Sequence, residues 1–142
     1  MRRRGIAALA VTLLLAGCAA QPTPAAGPPP PPSEPSVEPG TRDCGTFILG
    51  QGQGVPVDVM QCLIQAAGAR QSARLVVTNP TVEGDPITTS YAVAGDGRVE
   101  VTTDARADRL GSGKVERQTC TEPAVQDDRW LGFATCSSPK LV

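Results

Sequence analysis

The stretch Ile87-Thr88-Thr89-Ser90-Tyr91-Ala92-Val93-Ala94-Gly95-Asp96-Gly97-Arg98-Val99-Glu100-Val101-Thr102-Thr103 decides the fold. Ile87, Thr89, Tyr91 and Val93 alternate with Thr88, Ser90, Ala92 and Ala94, the period-two signature of a half-buried strand. Asp96-Gly97 supplies the positive φ angles that a tight turn requires, and Arg98 to Thr103 returns with Val99 and Val101 on the inner face. An antiparallel hairpin is thus the centre from which the other elements are placed.

Upstream of it, Gly45 to Leu49 reads as a strand, Gly50-Gln51-Gly52-Gln53-Gly54 as a connection, and the segment from Pro56 to about Ala69 as a helix. Proline suits a first helical position. Val57, Met60, Leu63, Ile64 and Ala67 share one face at 3.6 residues per turn, with Asp58, Gln61 and Gln65 opposite. Arg74 to Thr78 follows, and downstream a further hairpin joins Lys114 to Thr121 with Arg129 to Cys136. The fold class expected is α+β: one amphipathic helix packed on an antiparallel sheet of five or six strands, two layers deep.

The domain spans Cys44 to Val142, and its aromatic residues are Phe47, Tyr91, Trp130 and Phe133 alone. Its core must rest on Val, Leu, Ile and Ala, which bury less area per residue, so covalent staples are expected. Cys44, Cys62, Cys120 and Cys136 are an even set and read as two disulfides. Three pairings are open; the sequential one closes short loops, and Cys62 lies at the edge of the helix's apolar face within reach of the first strand. A zinc site fits poorly, because no CxxC pair and no histidine is present.

Residues 1–17 have the proportions of a signal peptide: a basic Arg2-Arg3-Arg4 followed by the apolar run Gly5 to Ala16, too short for a span of roughly 20 residues. Leu15-Ala16-Gly17-Cys18 resembles the bacterial lipobox, which implies diacylglycerol on the Cys18 sulfur and cleavage before it. Two or more acyl chains give durable anchoring. The expected location is the extracytoplasmic face of the cell membrane, with the membrane as partner through the lipid. Residues 18–43 form the linker, in which nine of the twenty residues from Ala20 to Pro39 are proline. At about 3.1 Å per residue in polyproline II, it reaches roughly 70 to 80 Å.

Without Arg2, Arg3 and Arg4, the thirteen basic residues become ten against fourteen acidic ones, a formal charge of −4. Nucleic acid is excluded as a partner, because Arg98, Arg106, Arg109, Lys114 and Arg117 are interleaved with Glu100, Asp104, Asp108 and Glu116 rather than clustered. The chain has no histidine, so Ser-His-Asp and Cys-His catalysis are excluded. Ser112 and Lys114 sit in the turn Gly111-Ser112-Gly113-Lys114 and read as loop residues. Gly50, Gly52 and Gly54 have GxGxG spacing, not the GxGxxG of a dinucleotide turn, and no P-loop is present. Glu83, Asp85, Asp96, Asp104 and Asp108 would support glycoside hydrolysis or calcium binding only where two of them converge, and Asp85 before Pro86 and Asp96 before Gly97 suit turns. No catalytic residue, metal ligand or cofactor is assigned.

Thr81-Val82-Glu83-Gly84-Asp85-Pro86-Ile87-Thr88-Thr89, followed by Gly97-Arg98-Val99-Glu100-Val101 and Asp104 to Gly111, resembles a group of small actinobacterial lipoproteins that join a lipobox, a Pro-rich spacer and a four-cysteine α+β domain. The resemblance implies a cell-envelope location and brings no activity or site residues. The expected function is that of a non-catalytic binding module for an envelope protein, a peptide or a small ligand. The alternatives are a carboxylate-dependent hydrolase of envelope polymers and a secreted enzyme inhibitor. Trp130 reads as a core or hairpin-packing residue, and in a protruding loop it would favour the inhibitor.

Overall fold

The computed structural model describes residues 40–142; the expected signal peptide over residues 1–17, Cys18 and the expected linker as far as residue 39 lie outside the described residues, while Arg42 and Asp43, expected in the linker, belong to the first strand. The elements run β1 (Arg42–Ile48), α1 (Val57–Gly68), β2 (Ala73–Pro80), β3 (Pro86–Val93), β4 (Val99–Asp104), β5 (Val115–Gln126), β6 (Trp130–Cys136) and β7 (Lys140–Leu141). One helix on a sheet with two disulfides agrees with the α+β expectation. The sheet is larger and more mixed than expected: β1 to β6 are neighbours in sequence order, β7 pairs with β5, and β1 lies parallel to β2 while the other pairs are antiparallel. The parallel pair follows from connectivity. A helix between two adjacent strands carries the chain back to the starting edge, so the second strand must run the same way as the first.

The central hairpin forms as its sequence requires. Val93 pairs with Val99, Ala94 donates its N–H to the Arg98 carbonyl, and Gly97 takes φ 86°. The inner face carries Leu75 and Val77 from β2, Val93 from β3, and Val99 and Val101 from β4, all buried. On the helix, Val59, Met60, Leu63, Ala66 and Ala67 are the buried set. The face is rotated from the expected one: Val57 is exposed, and Val59 and Ala66 take places the simple periodicity left outside. A second packing partner, the far half of β5, accounts for the rotation.

Cys120 pairs with Val99 beside the turn that meets the helix C-terminus, whereas Arg129 accepts the Val55 N–H at the helix N-terminus. The second half of β5 therefore bends back along α1. Glu122, at φ 51°, sits at the bend. The β5–β6 hairpin folds over the inner face, where Val125, Leu131 and Phe133 pack against the core and the Phe133 ring stacks on Tyr91 with centroids 6.3 Å apart. The second layer is thus the helix and this hairpin together.

The disulfides are Cys44–Cys62 and Cys120–Cys136, the sequential pairing. A register irregularity between Asp43 and Thr46 lets β1 present Cys44 to the helix. There the Asp43 carboxylate accepts the Gly45 N–H, and Gly45 adopts φ 106° with Phe47 where a Cβ would lie. Cys120–Cys136 joins β5 to β6 just before the bend.

Candidate functional site

The two ends of the sheet differ. At one, the Ala94–Arg98 turn packs against the helix C-terminus, and Ile64, Ala67, Arg70, Asp96, Thr121 and Glu122 border an open cleft of about 460 Å³. Arg98 donates to Asp96 through both backbone and side chain, and these bonds hold the Asp96 carboxyl below the usual range.

At the other end, loops meet and tie together. Gln51 donates to the carbonyls of Thr81 and Val82, linking the β1–α1 loop to the β2–β3 turn. The backbone N–H and side-chain Nε of Arg109 donate to Asp85, linking that turn to the β4–β5 loop. Arg129 Nη2 donates to the Gly52 carbonyl at 2.7 Å, linking the β5–β6 tip to the β1–α1 loop.

These bonds fix a set of apolar side chains in water. Ile48 at the end of β1 is 84% exposed, Val82 in the β2–β3 turn 88%, Leu110 in the β4–β5 loop 77% and Trp130 beside the β5–β6 tip 40%. Val57 opens the helix at the same end, and Leu141 and Val142 lie there too, beside Glu116 and Val115. Among the described residues, every large exposed hydrophobic side chain stands at this loop end. Exposed apolar residues scattered singly need no explanation, whereas these share one end of a small domain and make it the candidate for an interaction surface. Sequence reading missed the set; Trp130, expected in the core or packed in the hairpin, lies in the hairpin opposite Gln126 and outside the core. The available signal was Val82 and Leu110 themselves, isolated apolar residues inside turn segments without a strand partner.

The acidic candidates do not form a common site. Asp85 is held by Arg109 and Asp104 by Arg106, while the Asp108 carboxylate accepts the N–H groups of Leu110 and Gly111. The Arg106 side chain, bonded to Asp104 at 2.6 Å, pulls that carboxyl down to about 2. Glu83 is exposed in the β2–β3 turn. The glycine-rich loop does stand between a strand and a helix N-terminus, but Arg129 occupies the approach: its backbone would lie 2.8 Å from a Cβ at Gly54, and its carbonyl accepts the Val55 N–H. An anion would need that space and that donor. Ser112 accepts the Lys114 N–H, a loop bond, and the four cysteine sulfurs are bonded in pairs and unable to hold zinc. No group of three potential metal ligands occurs among the described residues, and no helix among them is long and apolar enough to cross a membrane.

No protein-family model matches the chain, and neither a curated protein nor a solved structure matches it significantly.

Proposed function

We propose that this chain is a lipid-anchored module of the bacterial cell envelope, tethered through Cys18 and the Pro-rich stretch that ends at Pro39, that binds another protein through its loop end and catalyses no reaction. The observation that carries the binding role is the confinement of Ile48, Val57, Val82, Leu110, Trp130, Leu141 and Val142 to that end. Two features make the surface rigid, and rigidity lowers the entropy lost on binding. The loops bearing it are cross-linked by side-chain hydrogen bonds, and the elements beneath are stapled by two disulfides. The anchoring role rests on the lipobox and the linker composition.

The test places a photo-crosslinking amino acid at Val82 or Leu110 of the full chain expressed in an actinobacterial host, with Ala92 on the outer sheet face as control. A discrete adduct from the loop-end positions, absent from Ala92 and lost with Trp130→Ser, is expected; adducts of equal yield from all three positions would overturn the binding surface. Intact mass beside a Cys18→Ala variant tests the anchor, with acyl mass on the wild type alone as the expected result.

A second reading is that of a secreted enzyme inhibitor, favoured by the part-exposed ring of Trp130 beside the β5–β6 tip. It predicts that the adduct partner is an enzyme whose activity falls on binding.

A further inference from the structure

The loop end carries a second pattern beside its apolar one, and it concerns charge. Four of its exposed carboxylates, Asp58, Glu83, Asp127 and Asp128, form no ion pair among the described residues. Two of its arginines are neutralised, Arg106 by Asp104 and Arg109 by Asp85, whereas Arg129, bonded to the neutral Gly52 carbonyl, keeps its charge. With Arg129, Lys114 at the base of the β4–β5 loop and Lys140 beside Leu141 are the cations at this end without an acidic partner among the described residues, three against those four carboxylates and Glu116. The charge that this end offers to solvent is therefore negative, and it is interleaved with Val82, Leu110 and Trp130.

The acids nearest Trp130 occupy unusual backbone. Asp127 and Asp128 have φ 51° and 53°, and the Arg129 N–H closes the turn on the Gln126 carbonyl. That is the arrangement of a type I′ turn, which Asn-Gly forms at least cost. Two consecutive aspartates there keep two carboxylates at the tip against conformational preference.

We infer that the partner of this surface is a protein segment carrying lysine or arginine side chains among apolar ones; this deepens, and rests on, the proposed protein-binding role. Charge separates this occupant from the others an apolar end could attract. A second copy would bring the same uncompensated carboxylates against it, and an anionic bilayer would repel them. A cationic segment gains on both counts. Its charges meet Glu83, Asp127 and Asp128, its apolar side chains cover Val82 and Leu110, and the Trp130 ring offers its face to a guanidinium or ammonium.

The test uses residues 18–142 carrying Cys18→Ala, without detergent, so that no acyl chain enters a bilayer, and three probes: a synthetic peptide alternating lysine with leucine and tryptophan, its counterpart with glutamate for lysine, and vesicles of equimolar phosphatidylcholine and phosphatidylglycerol. The lysine peptide alone should bind, and less tightly as salt rises. Asp127→Asn with Asp128→Asn and Glu83→Gln should weaken it by about tenfold or more, asparagine being the substitute that tolerates positive φ. Equal binding of both peptides, unchanged affinity in the charge variant, binding to the vesicles, or concentration-dependent self-association through this end would each overturn the inference. Its failure is distinguishable from that of the parent reading. If Val82 and Leu110 yield a discrete adduct that Val82→Ser with Leu110→Ser abolishes but the charge variant leaves intact, the binding end stands and the cationic partner falls. If no adduct forms and no peptide binds, both fall.

Discussion

Asp85 and Arg109, twenty-four residues apart in sequence, meet through two distinct donors: the Arg109 backbone N–H reaches Asp85 Oδ2 at 3.1 Å and its Nε reaches Oδ1 at 3.0 Å. Asp85 is 8% exposed, while its own backbone closes the β2–β3 turn with Thr81 in both directions. One carboxylate thus organises two loops.

Asp85→Ala should therefore destabilise the domain by about 1 to 3 kcal/mol, the range for leaving part-buried donors without an acceptor. Arg109→Ala should cost less, because the backbone N–H keeps its bond and the guanidinium is largely solvated. Urea unfolding of the two variants checks the order. If Arg109→Ala proves the costlier change, the side-chain ion pair and not the backbone bond holds the loops.

Local signals carried most of the fold. Alternation from Ile87 to Val93 and the Asp96-Gly97 step fixed the central hairpin, and apolar periodicity located α1 to within a residue at each end. Two features were not legible. The parallel β1–β2 pair depends on which strands become neighbours, and alternation within a strand does not carry that information. The bend of β5 depends on Glu122 adopting φ 51°, which nothing about a glutamate in Thr121-Glu122-Pro123 announces. Since the bend carries Phe133 to Tyr91 and leaves Trp130 exposed at the loop end, the candidate surface was hidden with it.

Tyr91 is the single tyrosine of the chain, so its phenol can be titrated by ultraviolet absorbance without overlap. Burial pushes its pKa above the ordinary value of 10. The sign follows: the folded state favours the neutral phenol, so the resulting stability is complete below the unfolded pKa of about 10 and is lost as pH rises through the folded value. We expect a midpoint above that of the urea-unfolded chain, and an alkaline loss of stability that Tyr91→Phe reduces. Coincident midpoints in folded and unfolded protein would mean that the Phe133 stack does not exclude water.

The disulfides close loops of similar length, with separations of 18 and 16 residues. Chain entropy then assigns each about 3 kcal/mol. The paired replacements Cys44→Ala with Cys62→Ala and Cys120→Ala with Cys136→Ala should each lower stability by that order in denaturant unfolding. Cys120 is fully buried at the β5 bend, so its pair should show an added packing loss. A smaller loss for that pair than for the other would show that the bend holds without its staple.

Asp128→Gly separates the two demands on the β5–β6 tip. At φ 53° a glycine avoids the Cβ clash that an aspartate accepts, and Asp-Gly is a favoured type I′ pair, so stability should rise by roughly 0.5 to 1 kcal/mol. The same change removes one of the two carboxylates beside Trp130, so affinity for the lysine peptide should fall. Opposite movements of urea midpoint and affinity are the expected result, and they would identify the aspartate as kept for its charge. A variant that gains stability and binds the peptide as tightly as the wild type would place the charge recognition on Glu83 and Asp127 instead. A variant that loses stability would show that the Asp128 side chain supports the turn and is not held there at a conformational cost.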